Sequence, residues 1–288
     1  MSLSRISGCE NPERVADVVF VHGLDGDHRT TWHPENNPEA FWPSWLGDDF
    51  PSLGVWSLGY QVHSSAWKGH SMPLVDRTTN TLDLLELDEI GRRPVAFVCH
   101  SLGGLLIKQL LRLASDSNKL TYKSLTGRTK LVVFLSTPHS GADMASWIAY
   151  IGKLLRTTVS VEELEAHHPR LLELNKWYRD HAGPMGIETF VYCEKLKTGG
   201  VLVVNQTTVD PGIPGVDVVP LDEDHISVCK PLSKEAQVYR RVKRLLADTL
   251  YIASEVVASV AQAGEVGAQD RFAGSETAHK PRRGESQG

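Results

Sequence analysis

Cysteines are few in this sequence, and their spacing gives them no way to act together. None of the four forms a C-x-x-C pair. Disulfide frameworks and zinc sites both depend on closely patterned cysteines. We therefore expect buried free thiols in a protein of a reducing compartment, and no bound metal. The four positions are Cys9, Cys99, Cys193 and Cys229.

The sequence also lacks a long apolar run and a dominant block of basic charge. Residues 1–10 contain no apolar segment of the secretory type, and the most apolar long window, 250–263, is interrupted by Glu255. That window is shorter than the roughly 20 residues that a membrane-spanning helix needs. The net charge of −5 at pH 7 argues against nucleic acid as a partner. We expect a cytoplasmic protein.

What the sequence does contain is an alternation of short apolar runs and helical patterns. The predicted strands are residues 16–21, 54–60, 95–100, 130–136, 186–194 and 217–221. Helical patterns cover 39–50, 73–91, the residues after 104, 142–182 and 233–263. Residues 115–129 are interpreted as a polar connection. This alternation predicts an α/β protein with a mostly parallel sheet and helices on both faces.

Length and composition fit one folded domain. Of the 288 residues, 41% are hydrophobic, which is enough to bury a sizeable core. We assign residues 1–14 to an N-terminal arm and residues 15–263 to the α/β domain. The helices over about 142–182 are interpreted either as a cap over the site or as ordinary core helices. Residues 264–288 are rich in Gly, Ser and charge, and we expect a disordered tail or linker there.

Ser101 lies between a strand and a helix in a pattern typical of a nucleophile. The strand ends at His100, the helix follows within a few residues, and Ser101 occupies the sharp turn between them, a nucleophile elbow. A serine hydroxyl is a weak nucleophile, so it needs a nearby base and backbone N–H donors for an oxyanion. Small neighbours let strand and helix pass closely, and Gly103 meets that need. Cys99 stands where the G-x-S-x-G pattern has its first glycine.

A second strand, residues 16–21, ends in His22-Gly23-Leu24, which is the sequence form of an oxyanion-hole loop. The glycine lets the loop backbone approach a reacting carbonyl group. The N–H groups of Leu24 and Leu102 would then donate to the developing negative charge.

His225 is the predicted general base because it follows a late strand and precedes a final helix, in the chain order serine, acid, histidine. Two residues are candidates for the acid that orients His225. Glu194 ends the strand before the histidine loop, and Asp210 lies in a turn 15 residues before His225. His139 is interpreted as a residue that structures its loop.

Four stretches together resemble the α/β-hydrolases of the serine esterase and lipase kind. Within that class the chain is similar to the serine-active-site-containing phospholipid-remodelling family and to hydrolase domains linked to NTPases. The resemblance covers roughly residues 15–250. The stretches are 20–24, 99–104, 136–141 and 220–231.

The resemblance implies the α/β-hydrolase fold and ester or phospholipid acyl chemistry. It also implies that Ser101 is the nucleophile and His225 the base, and a glutamate at the position of Glu194 occurs in these relatives.

We therefore expect a serine hydrolase that cleaves lipid or small acyl esters and needs no organic cofactor. The basic cluster Arg240, Arg241, Lys243 and Arg244 could make peripheral contact with anionic lipids. The alternative is a non-catalytic or partner-regulated module of an NTPase-linked system. Oligomeric state is not predicted.

Overall fold

The computed structural model contains a seven-stranded sheet. It describes residues 1–23, 26–60, 74–139, 168–200, 202–204 and 206–251. Across the sheet, the strands lie in the order 2–7, 53–59, 16–21, 95–100, 129–135, 188–194 and 218–221. The first two are antiparallel to each other, and the other neighbouring pairs are parallel. The prediction of a mostly parallel sheet is confirmed.

The strands are β1 (Ser2–Ser7), β2 (Ala16–Val21), β3 (Leu53–Gly59), β4 (Val95–His100), β5 (Thr129–Leu135), β6 (Glu188–Glu194) and β7 (Val218–Leu221). The helices are α1 (Trp42–Asp49), α2 (Leu74–Leu87), α3 (Leu102–Asp116), α4 (Leu120–Arg128), α5 (His168–His181), α6 (Gln206–Val209) and α7 (Gln237–Leu246).

Both faces of the sheet are covered, which explains why its central strands are apolar throughout. In β4, the side chains of Val95, Phe97 and Cys99 belong to one core layer with residues of α2 and α3. Ala96 and Val98 point into the opposite layer, with residues of α1 and α7. Every residue of β4 is buried as a result. A strand buried on two faces reads as a continuous apolar run rather than an alternating one.

Several segments differ from the prediction or extend it. Helix α6 was not predicted. Residues 2–7 of the predicted arm form edge strand β1, which pairs with β3. The predicted polar connection 115–129 contains helix α4. The final helix begins at Gln237 rather than at 233 and passes into a π-helical turn, Ala247–Tyr251.

Several predictions fall outside the described residues. They are Leu24, the cap segment 142–167, the end of the final helix at 252–263, and the tail 264–288. The last part of the predicted cap, 168–181, is helix α5, which packs against α3.

The crossing of β2 and the first turn of α3 leaves no room for a side chain at Gly103. A Cβ atom there would lie 2.4 Å from the carbonyl oxygen of Val21 and 2.6 Å from that of His22. Both atoms belong to the backbone, so no side chain can rotate away. Gly103 therefore sets how closely the nucleophile elbow approaches the end of β2.

Replacing Gly103 by alanine should lower the free energy of unfolding by about 1–3 kcal/mol, because overpacking of a rigid site costs about that much. Gly127→Ala in α4 is the control, since a Cβ atom there meets nothing within 4 Å. Alanine also favours a helix over glycine by up to about 1 kcal/mol, so the control should be as stable as wild type or more so. Urea unfolding measures both, and equal stability of Gly103→Ala and wild type would contradict the close approach.

Candidate active site

The structure brings Ser101, His225 and Glu194 into one hydrogen-bonded line. The Nε2 atom of His225 lies 3.0 Å from Oγ of Ser101, and its Nδ1 atom lies 3.2 Å from Oε1 of Glu194. A carboxylate can only accept, so Nδ1 carries the proton and Nε2 is free to accept from the serine hydroxyl. All three residues are at most 3% exposed.

Parallel strands explain why residues so distant in sequence meet. Ser101 follows the carboxyl end of β4, and Glu194 is the last residue of β6. The loop that follows β7 carries His225. Because the carboxyl ends of parallel strands share one edge of a sheet, these side chains converge at that edge.

Asp210, the alternative acid, is not part of this line. It is exposed, and its Oδ1 atom accepts the backbone N–H of Gly212. The structure thus places Glu194 rather than Asp210 against His225. The Oε1 atom of Glu194 also accepts a hydrogen bond from the N–H of Val204, at 2.7 Å.

Ser101 has a strained backbone conformation, with φ 51° and ψ −124°. A positive φ is unfavourable for a residue with a Cβ atom and persists only where the surroundings impose it. The N–H of Ser101 donates to the carbonyl oxygen of Leu135, and its own carbonyl oxygen accepts from Oγ1 of Thr137 at 2.9 Å. Bonds at both ends of the residue hold the elbow.

Cys99 fits the position where glycine is usual because its side chain enters the core. The thiol is fully buried in the core layer that contains residues of α2 and α3. Burial raises the pKa of this thiol well above its ordinary value, so it remains protonated.

The loop after β2 passes directly beside the serine. A Cβ atom at Gly23 would lie 2.8 Å from Cβ of Ser101. The ring of His22 stacks on Tyr60, and its Nδ1–H donates to the carbonyl oxygen of Gly23 at 2.7 Å. Burial lowers the pKa of His22 to about 4, so the ring is neutral at pH 7. His22 therefore fixes the loop that precedes Leu24.

Leu102 opens helix α3, so its backbone N–H has no partner within the helix. A helix N-terminus also carries partial positive charge. An anion bound beside Ser101 would therefore be stabilised by the N–H of Leu102 and by this partial positive charge. The other predicted donor, Leu24, lies outside the described residues.

Two hydroxyl side chains at the site were missed by the sequence analysis. Ser136 and Thr137 follow β5, between the ends of β4 and β6. Oγ1 of Thr137 donates to the carbonyl oxygen of Ser101. Oγ of Ser136 accepts the N–H of Glu194 at 3.2 Å. The signal was their position directly after a central strand, because one adjacent strand ends just before Ser101 and the other ends at Glu194.

Behind the elbow lies a fully buried lysine. Nζ of Lys108, on α3, is 2.6 Å from Nδ1 of His139 and 2.7 Å from Oδ1 of Asn175. It also lies within about 5 Å of two ring centres, those of Phe134 and Tyr178. Within the described part of the chain, no carboxylate pairs with it.

Burial lowers the pKa of both Lys108 and His139 well below their ordinary values, because an apolar environment disfavours the charged form. His139 thus contacts Lys108 rather than Ser101, in agreement with the interpretation of His139 as a residue that structures its loop.

Comparison with known proteins finds relatives in sequence over most of the chain. Protein SERAC1 of Bos taurus is 30% identical over 257 residues, and that of Danio rerio is 32% identical over 261 residues. Each alignment covers 82% of this chain and 39% of the relative. The chain therefore spans about two fifths of the length of the curated relatives it matches. No family model matches the sequence.

Solved structures share the architecture. A carboxylesterase from Nitrososphaera gargenis has a TM-score of 0.52 and 14% identity, and the match covers 85% of this chain and 93% of that one. Est1E from Butyrivibrio proteoclasticus, solved with ferulic acid bound, also has a TM-score of 0.52 and 14% identity, over 87% and 95% of the two chains. At this identity the likeness shows the fold.

Within the described residues, no helix has the length and apolar character to cross a bilayer. The same residues contain no cluster of three or more His, Cys, Asp or Glu side chains that could hold a metal ion.

The lowered pKa of Lys108 predicts a pH dependence of stability. A lysine in the unfolded chain has a pKa of about 10.4, so between the lowered pKa of the folded protein and that pH the unfolded chain binds more protons at this residue. Stability then rises with pH in that range, by up to about 1.4 kcal/mol per unit. As the pH is raised toward about 10, the free energy of unfolding of wild type minus that of Lys108→Met should therefore rise.

Lys130→Met is the control for this measurement, because Lys130 lies near the surface and donates to the carbonyl oxygen of Gly127. Its difference from wild type should not change with pH. A flat difference for Lys108→Met as well would mean that the amine is charged in the folded protein.

Proposed function

We propose that this chain, which has the α/β-hydrolase fold, is a serine hydrolase that cleaves carboxylic esters through an acyl-enzyme. The observation that supports this most directly is the pair of contacts at His225, with Oγ of Ser101 at 3.0 Å and Oε1 of Glu194 at 3.2 Å. This arrangement of nucleophile, base and orienting acid is the one that activates serine in unrelated hydrolases.

In the first step, Nε2 of His225 accepts the hydroxyl proton of Ser101 as Oγ attacks the ester carbonyl carbon. The carbonyl oxygen becomes an oxyanion, which the N–H of Leu102 would stabilise, together with that of Leu24. Glu194 keeps the proton on Nδ1 and stabilises the imidazolium that forms. The imidazolium then protonates the leaving alkoxide, and the C–O bond breaks to leave an acyl-serine.

In the second step, water attacks the acyl-serine while Nε2 of His225 accepts its proton. The carboxylic acid leaves, and Oγ of Ser101 recovers its proton from the imidazolium. The same residues would pass the acyl group to another alcohol in place of water, so transfer is an outcome that product analysis distinguishes.

Carboxylic esters are the first substrates to test, because one of the structures that share the fold is a carboxylesterase. Exposed apolar side chains follow the acid and the base in sequence. Leu196 is 51% exposed and Ile226 is 43% exposed. Apolar residues so close in sequence to Glu194 and His225 favour a substrate with an apolar acyl chain over one with a polar acid group. Rates with a series of p-nitrophenyl esters of increasing acyl length would test this preference. A lipid ester is the long-chain limit of that series.

A fluorophosphonate probe should label the wild-type protein on Ser101, because only an activated serine reacts readily with it. Ser101→Ala should abolish labelling, and His225→Ala should slow it by about three orders of magnitude or more, since removing the base of such a triad has effects of at least that size. Gel fluorescence and mass spectrometry of the labelled peptide give the readout. A folded wild-type protein that fails to react would favour the non-catalytic or partner-regulated module.

The identity of the acid predicts a contrast between two carboxylates. Glu194→Gln should lower kcat by roughly 10⁴-fold, because an amide in place of the acid favours the wrong histidine tautomer. Asp210→Asn should leave kcat unchanged, since Asp210 is exposed and bonds only a turn. Steady-state kinetics with the best ester of the series measures both. Equal losses in the two variants would contradict the assignment of Glu194.

A further inference from the structure

The catalytic base is carried by a loop, so something outside that loop must hold it. His225 lies between the end of β7 and a short 3₁₀ turn, Ser227–Cys229. The turn itself is well anchored, because Oδ1 of Asp224 accepts the N–H groups of Ile226 and Ser227 at 2.9 and 2.8 Å. These bonds fix the residues around His225 and leave its own peptide groups to other partners.

Two side chains bond the backbone of His225 directly, one at each peptide group. The Nε2–H of His100 donates to the carbonyl oxygen of His225 at 2.8 Å. The N–H of His225 donates to Oγ1 of Thr198 at 3.0 Å. His100 ends β4, and Thr198 follows β6, so the two bonds tie the loop to two different strands of the sheet.

Burial makes these bonds firm. His100 is 9% exposed and Thr198 is 6% exposed, and a hydrogen bond shielded from water is electrostatically stronger than one in solvent. Burial also lowers the pKa of His100 to about 3. At pH 7 the ring is therefore neutral with its one proton on Nε2, as a donor to a carbonyl oxygen requires.

We propose that His100 and Thr198 form a clamp on the backbone of His225 that positions its ring between Ser101 and Glu194. Neither residue touches the reacting atoms, and so both are positioning residues. The clamp matters because proton transfer needs Nε2 within hydrogen-bond reach of Oγ. A displacement of about 1 Å at such a site can cost about 100-fold in rate.

This inference rests on the proposed function, and it predicts a loss of kcat with little change in KM. Thr198→Val keeps the shape of the side chain and removes the acceptor, and we expect roughly a 10- to 100-fold fall in kcat and in the rate of fluorophosphonate labelling. Thr198→Ser restores the hydroxyl and should restore most of the rate. His100→Phe removes the donor at the other peptide group and should cause a fall of the same order.

Two matched controls separate the clamp from a general loss of packing. Thr129→Val removes a buried hydroxyl that bonds the carbonyl oxygen of Leu125 at the start of β5, the edge opposite the site. His33→Phe removes a buried ring that bonds the carbonyl oxygen of Pro34. Both should keep the wild-type kcat. Thermal unfolding of all variants confirms that each is compared as a folded protein, and Thr198→Val carries the test if His100→Phe does not fold.

The outcomes distinguish the clamp from the proposed function itself. A wild-type protein without labelling or esterase activity overturns the proposed function. An active wild type with unchanged kcat in Thr198→Val overturns the clamp alone. So does a Thr198→Ser variant as slow as Thr198→Val, or a change confined to KM.

Discussion

The close crossing of β2 and α3 is the constraint on which the rest of the site depends. Gly103 allows the first turn of α3 to meet the backbone of Val21, and Gly23 in turn lies against Ser101. The serine between them has a positive φ, which costs free energy that the surrounding backbone bonds must offset. Close contacts on both sides of Ser101 therefore impose this strain. In the strained conformation, Oγ of Ser101 faces Nε2 of His225.

The second organising feature is that burial lowers the pKa values of the basic groups around the elbow. The pKa values of His22 and His100 are lowered to about 4 and about 3, so both rings are neutral at pH 7 and act by donor and acceptor geometry rather than by charge. His22 holds the loop after β2, and His100 bonds the loop that carries His225. Burial also lowers the pKa of Lys108, whose amine bonds the side chains of His139 and Asn175. The Glu194 carboxylate faces Nδ1 of His225.

Apolar patterning in the sequence predicts most clearly the strands that are buried on both faces. Strand β4 is a continuous apolar run because two core layers cover it, and the strands β2 and β5 were predicted for the same reason. Strand β1 was missed because it is a partly exposed edge strand of mixed polarity, and only its pairing with β3 makes it a strand. Helix α4 was missed because five of its nine residues are polar or charged and two are buried, so its periodicity is faint.

The sequence by itself determined which chemical groups end the strands: a serine after β4, a glutamate at the end of β6 and a histidine after β7. It could do so because strand ends and turns are local features of the chain. Only the tertiary structure places Glu194, and not Asp210, beside His225, and only it brings Thr198, Thr137 and Lys108 to their partners. Those contacts join residues up to 67 positions apart, and their distances depend on strand order and helix packing, which local patterns do not encode.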